Sequence, residues 1–462
     1  MAEERITVLG GGLAGCEAAW QAARRGAKVE LWEMRPGIPT PSHTTGMLGE
    51  LVCSNSLKSD RENSAPWLLK EELRRAGSLL IEIASRCAVP AGQALAVDRD
   101  RFAATITESI EQQPGIRLRR EEARAIPEEG IVVVATGPLT SDSLAASIQR
   151  LTGEERLFFY DSISPIVDAD TIDRSKVFSA SRYGKGIEPG APKVERGEGA
   201  SRDDDGDYLN CPLNENEYQR FYDALLQAES VTRHEFEDVK YFEGCLPIEE
   251  LARRGRDTLC FGPMKPVGLR DPRTGKLPHA VVQLRKEDLR SSSYNLVGFQ
   301  NHLKFGEQKR ILRMIPGLEQ AEFLRYGQIH RNTYINSPSL LEPALRMRSE
   351  PRIFFAGQIS GVEGYVEAIA TGLMAGIHAA RQLAGGKPSA PPRASACGSL
   401  CHYISNASPR GYQPANIAFD LLPPLCSATP STRDKKQRHS LQCQIALRKF
   451  DEWLAALAAA YA

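Results

Sequence analysis

The hydrophobic pattern of the first 33 residues changes from a short apolar run to helical spacing and then back to a short apolar run. Residues 6–9 (ITVL) form a short apolar run, and residues 28–33 (KVELWE) form a second one. Between them, residues 15–25 (GCEAAWQAARR) place small and apolar side chains at helical spacing, and Gly26 ends that segment. Short apolar runs favour strands, whereas the spacing between them favours a helix. The pattern predicts a strand, a glycine turn, a helix and a second strand.

Similar signals recur at wider intervals along the rest of the chain. A helix is predicted over residues 64–80, and residues 130–138 (GIVVVATGP) predict a buried strand that ends at a glycine. Residues 351–384 predict a strand, a glycine turn and a long helix of small residues. Residues 435–462 predict a terminal amphipathic helix. Residues 184–207 are rich in Gly, Pro and charge, so we expect a loop that buries no core.

The first glycine turn, GGGLAG, fits the pattern G-x-G-x-x-G through its first, third and sixth residues. The first glycine permits a tight turn, the second lets the backbone approach a pyrophosphate, and the third lets the helix pack on the strand. The helix N-terminus offers unpaired N–H groups to phosphate. Glu33, at the end of the second strand, can accept a hydrogen bond from a ribose hydroxyl. The residues predicted to bind a dinucleotide are Gly10, Gly11, Gly12, Leu13, Ala14, Gly15 and Glu33.

Two further strand-to-glycine segments favour FAD over a nicotinamide as the resident dinucleotide. One is VVVATGP, and the other is IFFAGQISGVEGYVEA, which contains Gly357 after its strand. A domain that binds only a nicotinamide normally completes its sheet within about 150 contiguous residues. Here the last predicted strand follows a long insertion. The predicted fold is α/β, with a discontinuous, Rossmann-like FAD-binding domain and an inserted α+β domain.

The predicted domain boundaries follow from these segments. They are 1–160 for the first part of the FAD-binding domain, 161–330 for the insertion domain, 331–390 for the second part of the FAD-binding domain, and 391–462 for a C-terminal extension with its terminal helix. The sequence contains no second G-x-G-x-x-G, so any nicotinamide is expected to bind only transiently.

The amino-acid composition is that of an ordinary globular protein. The 462 residues carry 58 basic and 58 acidic side chains, and 42% are hydrophobic, without a run long enough to span a membrane. The N-terminus MAEERITVLG has the features of neither a signal nor a transit peptide. The ten cysteines contain no C-x-x-C pair, and the C-x3-C of Cys397 and Cys401 is interpreted as structural. We expect a reduced, cytoplasmic protein without a metal site.

The charge is distributed unevenly within the predicted insertion domain. Residues 187–243 contain 15 acidic and 6 basic side chains, a local charge of −9, whereas residues 251–313 contain 14 basic and 5 acidic ones, a local charge of +9. Two interpretations stay open for the basic segment. It is either a solvated face that attracts the acidic segment or a surface for a polyanion such as RNA.

Two cysteines are candidates for a reactive thiol. Cys53 lies in GELVCSNSLKSD near the cations Lys58 and Arg61, and reactive thiolates need electropositive, partly open surroundings. Cys245 lies in YFEGCLPIEELARRG, just ahead of a predicted helix that starts at Pro247. A helix N-terminus also favours the thiolate form. For both positions the alternative is an inert, buried thiol.

Six segments together resemble one enzyme family. They are GGGLAGCEAAW, ELVCSNSLKSD, FEGCLPIEELARRGRDTLCFGPMKPVGL, NHLKFGEQKRILRMIPGLE, HRNTYINSP and FFAGQISGVEGYVEAIATGLMAG. Along nearly the whole chain the sequence is similar to the folate- and FAD-dependent tRNA (uracil-5-)-methyltransferases. Two departures from that family are a longer loop near residues 186–206 and extra cysteines in the C-terminal tail.

The resemblance implies a reaction and assigns residues to it. Methylenetetrahydrofolate would give the carbon, reduced FAD would carry it and supply reducing equivalents, and NADH or NADPH would recharge the flavin. The product would be 5-methyluridine in the T-loop of tRNA or in a similar RNA loop, with neither membrane nor DNA as a partner. By motif, the family's two cysteines correspond to Cys53 and Cys245. Cys245 would attack C6 of uracil, Cys53 would act near the flavin, and Tyr365 would stack on the flavin or folate ring unless it is a core aromatic.

Three other functions compete with this interpretation. A related flavoenzyme that installs carboxymethylaminomethyl groups on the tRNA wobble uridine shares the glycine turn but does not explain the two cysteine motifs. A non-catalytic RNA-binding flavoprotein would use only the basic segment. A methyltransferase that uses S-adenosylmethionine is disfavoured, because the turn and Glu33 fit a dinucleotide.

Overall fold

The fold was analysed in a computed structural model of the protein. It describes residues 5–40, 42–153, 157–162, 164–184, 206–231, 246–327, 329–425 and 434–459.

A five-stranded parallel sheet forms the centre of the first unit. Its strands are β1 (Ile6–Leu9), β2 (Val29–Trp32), β6 (Ile116–Arg119), β7 (Ile131–Val134) and β16 (Ile353–Phe355). Their spatial order is β16-β7-β1-β2-β6, and every neighbouring pair is parallel. The last strand comes from more than 200 residues after the others and pairs with β7. This arrangement confirms the predicted α/β class and the discontinuous, Rossmann-like sheet.

A six-stranded antiparallel sheet forms the second unit, from the chain between β7 and β16. Its strands are β9 (Ile166–Asp168), β10 (Phe178–Ser179), β11 (Tyr208–Leu213), β12 (Ala280–Lys286), β13 (Ser293–Leu296) and β14 (Phe323–Arg325). Their order is β10-β11-β12-β13-β9-β14. This unit has a hydrophobic core of its own, in which fully buried side chains such as Phe221, Phe299 and Ile315 pack together. The inserted unit is therefore built around a separate core, as a second domain is.

Two smaller sheets flank these units. The first joins β3 (Ser56–Ser59), β5 (Ala94–Val97) and β4 (Ala88–Val89) in that order. The second is an antiparallel pair of β8 (Leu157–Ser162) and β15 (Ile329–Tyr334). The chain passes through β8 before it enters the inserted sheet and through β15 after it leaves that sheet.

Thirteen α-helices lie in the described part of the chain. They are α1 (Leu13–Ala23), α2 (Ala65–Arg75), α3 (Leu79–Arg86), α4 (Arg99–Glu111), α5 (Asp142–Thr152), α6 (Glu215–Gln227), α7 (Ile248–Arg253), α8 (Thr258–Phe261), α9 (Phe305–Leu312), α10 (Ser337–Leu340), α11 (Tyr365–Leu383), α12 (Ala396–Asn406) and α13 (Lys435–Ala459). Among the described residues, no helix is long and apolar enough to cross a membrane.

The helix predicted over residues 64–80 is wrong in its length, because the structure divides it into α2 and α3. Ser64 caps α2, as its side chain accepts a hydrogen bond from the Trp67 amide. Gly77 has a φ of +71°, which breaks the helical path. Ser78 then caps α3 through its contact with the Ile81 amide. Most of the loop predicted at residues 184–207 lies outside the described residues.

The C-terminal segment packs on the first unit and extends its core. Glu72 of α2 is fully buried, and its carboxylate accepts hydrogen bonds from the Ala396 and Cys397 amides at 2.7 and 2.8 Å. These amides begin α12, so the carboxylate caps that helix. Cys397 and Cys401 are each 1% exposed, and burial raises the pKa of both thiols. Both are structural residues of α12 in this arrangement.

Candidate active site

The turn between β1 and α1 uses its three patterned glycines in different ways. Gly10 has a φ of +102°, and a Cβ there would lie 2.6 Å from the Ala135 carbonyl oxygen. A Cβ on Gly15 would lie 1.8 Å from the Gly10 oxygen. A Cβ on Gly12 would meet no protein atom within 4 Å. Gly10 and Gly15 therefore make the tight turn, whereas Gly12 leaves open space beside the backbone, as a pyrophosphate requires.

Glu33 supports this turn from the end of β2. Its Oε2 accepts a hydrogen bond from the Gly11 amide at 2.9 Å, and its Oε1 accepts one from Arg35 Nε at 2.9 Å. The Glu33 and Arg35 side chains are 6% and 4% exposed, and Arg35 also binds Glu50 at 3.0 Å. The buried carboxylate thus fixes the backbone of the turn. Oε1 also accepts a hydrogen bond from the Arg35 amide at 2.9 Å, so Oε2 is the oxygen that keeps a lone pair for a ribose hydroxyl, the role predicted for Glu33.

Helix α11 brings a second backbone approach to the same place. Gly357, two residues after β16, has a φ of +76°, and a Cβ there would lie 2.8 Å from Ala14 Cβ. Further along, a Cβ on Gly372 or Gly376 would lie 2.2 or 2.4 Å from a carbonyl oxygen of α1. The two helices therefore pack backbone against backbone. This close packing fixes the start of α1 and the start of α11 on one side of a common cavity.

Most of the residues predicted for the site line this cavity. They are Gly10, Gly12, Leu13, Ala14, Glu33, Cys53, Gly357 and Tyr365. Gly11 and Gly15 lie behind the wall and shape the turn instead. Residues that the sequence did not single out complete the wall, among them His43, Thr136, Gln300 and Gln358. Gln300 belongs to the inserted unit, so both units contribute to the cavity.

Cys53 is half-buried, and its backbone is held from two sides. Its amide donates to the Tyr365 hydroxyl oxygen at 2.8 Å, and the Ser54 amide donates to the same oxygen at 3.2 Å. Its carbonyl accepts from Arg99 Nη2 at 3.3 Å. Burial raises the pKa of Tyr365 well above its usual value, so the phenol stays protonated. Tyr365 was predicted as a stacking ring, but its hydroxyl also positions the thiol-bearing loop.

Arginines from three elements surround the Cys53 loop. Arg99 at the start of α4 forms an ion pair with Glu287. Arg285 of β12 is 6% exposed and donates to Ser54 Oγ at 2.8 Å. Burial lowers the pKa of Arg325 in β14, as does the charge of Arg99, whereas Cys53 acts on it in the opposite direction. These arginines supply the electropositive surroundings that a reactive thiol needs.

Lys58 provides a further cation in the cavity wall. Its backbone has a φ of +63°, and its Nζ lies 2.7 Å from Oε1 of Glu367 in the first turn of α11. Glu367 is fully buried, and its Oε2 has no hydrogen-bond partner among the described residues. Lys70 holds the same loop, because its Nζ donates to the carbonyls of Leu57 and Ser59 at 2.9 and 2.7 Å. The sequence had marked Lys58 only as a nearby cation.

Cys245 lies outside the described residues, so its predicted role stays a prediction. The chain continues at Leu246, and Pro247 is the N-cap of α7 rather than its first helical residue. The Ile248 amide at the start of α7 donates to the Gln300 carbonyl at 2.8 Å. Because Gln300 lines the cavity, this hydrogen bond ties the start of α7 to the cavity wall.

The described residues contain no group of three or more His, Cys, Asp or Glu side chains arranged to hold a metal ion.

The sequence is similar to those of known proteins along most of its length. The family model described as Glucose inhibited division protein A matches residues 5–387. A protein of Koribacter versatilis named methylenetetrahydrofolate–tRNA-(uracil-5-)-methyltransferase TrmFO is 62% identical over 453 residues, which cover 98% of each chain. A protein of the same name from Solibacter usitatus is 61% identical over 451 residues, 97% of this chain and 98% of the relative.

A solved structure shares the whole fold. Aquifex aeolicus GidA, in its form I crystal, matches with a TM-score of 0.71 at 19% sequence identity and covers 98% of this chain and 76% of that chain. At this low identity the likeness establishes the fold and nothing finer.

Proposed function

Because this chain belongs to the family of methylenetetrahydrofolate–tRNA-(uracil-5-)-methyltransferases, we propose a specific reaction for its cavity. The protein methylates C5 of a uridine in tRNA, with methylenetetrahydrofolate as the carbon donor and FAD as the bound cofactor. The T-loop uridine is the proposed target, and NADH or NADPH is the proposed source of electrons. The observation that carries the proposal is that Cys53 shares one cavity with the Gly10–Gly15 turn.

The residues around the cavity suit FAD. Gly12 leaves open space at the start of α1, where the backbone can approach a pyrophosphate. Glu33 stands at the end of β2, where a ribose hydroxyl is normally bound. We assign Gly10, Gly11, Gly12, Leu13, Ala14, Gly15, Glu33, Gly357 and Tyr365 to FAD binding. Bound FAD would supply the reducing equivalents for the methyl group.

The side chains of this protein would then perform three tasks. Cys245 adds to C6 of uracil, which turns the electron-poor C5 into a nucleophile. Cys53 acts on the opposite side of the reaction, next to the cofactor, where the arginines favour its reactive form. Tyr365 positions Cys53 through the two amide hydrogen bonds that its hydroxyl accepts.

The relatives do not favour the wobble-uridine alternative. Curated relatives between 53% and 62% identical carry the uracil-5-methyltransferase name over nearly the full chain. A non-catalytic flavoprotein would not need a cavity cysteine whose backbone is held by a tyrosine on one side and an arginine on the other.

The proposal predicts one product from one set of reagents. The purified protein should be yellow, and NADH or NADPH should bleach its flavin absorbance without oxygen. Addition of methylenetetrahydrofolate and unmodified tRNA should then yield 5-methyluridine, detected and located by nuclease mapping and mass spectrometry. A carboxymethylaminomethyl product, or reduced flavin with unchanged tRNA, would contradict the proposed reaction.

Tyr365→Phe should lower turnover while FAD remains bound. The substitution keeps the ring but removes the oxygen that accepts from the Cys53 and Ser54 amides. An unsatisfied buried amide costs about 1–3 kcal/mol, so the loop should move and kcat should fall about 10-fold or more. KM for tRNA should change little, because the hydroxyl acts on the thiol-bearing loop. Stopped-flow and steady-state assays separate these effects.

Tyr403→Phe is the matched control, since the Tyr403 hydroxyl donates to the Gln413 carbonyl at 2.9 Å and does not line the cavity. Turnover equal to that of the parent protein in both variants would exclude a positioning role for the Tyr365 hydroxyl.

A further inference from the structure

Three aromatic rings form a cluster at the surface of the inserted unit. Phe305 is the first residue of α9 and is 64% exposed. Its ring centroid lies 4.2 Å from that of Tyr326, and the Tyr326 centroid lies 5.3 Å from that of Phe323 in β14. Large apolar side chains at the surface can mark binding sites when they are grouped. We call this cluster the Phe305–Tyr326 platform.

A buried polar clamp holds the platform in place. Gln308 of α9 is 3% exposed, and its side chain makes two hydrogen bonds with Gly327, one to the amide at 2.8 Å and one to the carbonyl at 2.9 Å. A Cβ on Gly327 would lie 2.4 Å from Asn301 Nδ2, so the backbone there packs tightly. The clamp fixes Tyr326, one residue earlier, against α9. Rings that are fixed in this way lose little conformational entropy when a ligand stacks on them.

Two segments of the chain connect the platform to the cavity wall. Arg325, the residue before Tyr326, donates from Nη2 to the Ser42 carbonyl at 3.2 Å, and Ser42 lines the cavity wall. Gln300, which also lines the cavity, lies five residues before Phe305 in the sequence. The chain therefore leads from the cavity wall to the platform in two places.

The charge next to the rings indicates the kind of partner. Lys309 is exposed and lies one helical turn after Phe305, and thus on the same face of α9. Lys304 and Arg310 are exposed and pair with Glu229 and Glu307 at the surface. Such surface pairs contribute about 0–1 kcal/mol each, so a phosphate can replace either carboxylate. An exposed ring that is backed by two half-buried rings and lies next to surface cations matches a single-stranded RNA segment.

We infer that the Phe305–Tyr326 platform is the docking surface for the unstacked bases of the RNA loop that carries the target uridine. An enzyme that acts on C5 of a base in a folded loop has to extrude that base, which costs stacking energy. Unstacked bases of RNA loops are commonly received on aromatic side chains. The platform would replace the lost stacking while Lys309 binds a phosphate. This inference rests on the proposed function and adds the surface that selects the loop.

The test measures RNA affinity and its salt dependence in the FAD-loaded protein. The probes are an unmodified tRNA transcript and its isolated T-arm hairpin. Phe305→Leu keeps the apolar side chain but removes the π-face, so it should bind both RNAs about 5- to 100-fold more weakly. The slope of log affinity against log salt should stay unchanged, because no charge is lost. Phe305→Trp should bind as tightly as the parent protein or more tightly.

Lys309→Ala should instead change the slope of log affinity against log salt, because it removes a charge. It should reduce that slope by about 0.7–0.9, the change expected for one phosphate contact. Phe261→Leu is the matched control, since Phe261 of α8 is 82% exposed in the same unit but is not one of the three clustered rings. Its affinity should equal that of the parent protein.

Unchanged hairpin affinity in Phe305→Leu would overturn the inference, as would an equal loss in Phe261→Leu. A change of oligomeric state in Phe305→Leu with unchanged RNA affinity would also overturn it, because the rings would then cover a second copy of the chain. The parent protein separates this result from failure of the proposed function. If it binds and methylates tRNA while Phe305→Leu behaves identically, only the platform is wrong.

Discussion

The Gly12→Ala variant is expected to fold like the parent protein but to bind FAD roughly 10- to 100-fold more weakly. A Cβ at this position would meet no protein atom within 4 Å, and the Gly12 φ of −76° is ordinary for any residue. The methyl group would instead occupy the space where the backbone approaches the pyrophosphate. Overfilling a close-packed contact costs about 1–3 kcal/mol, which corresponds to that loss of affinity.

Two other glycines serve as controls for this prediction. Gly15→Ala should disturb folding, because its Cβ would lie 1.8 Å from the Gly10 carbonyl oxygen. Gly306→Ala has as much free space as Gly12→Ala but lies outside the cavity, so it should keep its flavin. The measurements are thermal unfolding by circular dichroism and the ratio of flavin to protein after purification. A folded Gly12→Ala protein with a full complement of FAD would refute the assignment of this turn.

The strand, turn and helix around Gly12 could be predicted from sequence because local rules determine them. A strand followed by patterned glycines leaves few conformations open to the backbone. The same local reasoning was wrong for residues 64–80, where Gly77 and Ser78 divide one predicted helix into two. Both residues were visible in the sequence, and a Gly-Ser pair inside a helical pattern is a signal for a break.

The contacts that build the site could not be predicted, because they join distant parts of the chain. Tyr365 binds the Cys53 amide across 312 positions, and Lys58 reaches Glu367 across 309. The packing of α11 against α1, α2 and β3 brings these segments together. For Glu33, the position after β2 could be predicted from the sequence. Its hydrogen bond from the Gly11 amide could not, because that bond depends on the exact path of the turn.

The structure shows that the basic residues of segment 251–313 differ in their exposure and pairing. Arg285 is buried against the Cys53 loop, and Arg253 pairs with Glu250 on its own helix. A sequence count treats these arginines as equal to the exposed Lys309. The net charge of +9 therefore overstates the surface that is available to RNA, and the aromatic cluster beside Lys309 is the more specific signal.

Replacement of each of the two thiols should distinguish attack on the uracil base from the step that takes place next to the cofactor. Cys245→Ala should lower methylation on the order of 10⁴-fold or more, the effect expected when a covalent nucleophile is lost. FAD binding and reduction by NADH or NADPH should survive, because the proposed thiol acts only on the base. Cys53→Ala should also lose turnover, since Cys53 lines the cavity beside Tyr365. Cys260→Ala is the control, because Cys260 is a half-buried free thiol of the same inserted unit that does not line the cavity.

RNA with 5-fluorouridine at the target position distinguishes the roles of the two thiols. Attack of the Cys245 sulfur on C6 forms an S–C6 bond, and C5 then takes up the methylene carbon. Release of the product requires loss of the C5 proton and cleavage of S–C6, and the two electrons that convert the methylene group into a methyl group would come from reduced FAD. Fluorine cannot leave C5 as a proton does, so the parent protein should remain covalently attached to this RNA. Cys245→Ala should form no adduct. Cys53→Ala should still add to C6, because that addition needs only Cys245, but without carbon transfer to C5 the addition is reversible, so a smaller fraction of the RNA should be attached than in the parent protein. Denaturing gels and mass spectrometry detect the adduct. If Cys53→Ala lost the adduct and Cys245→Ala kept it, the nucleophile would be Cys53, and the arginines around its loop would serve the attack on uracil instead.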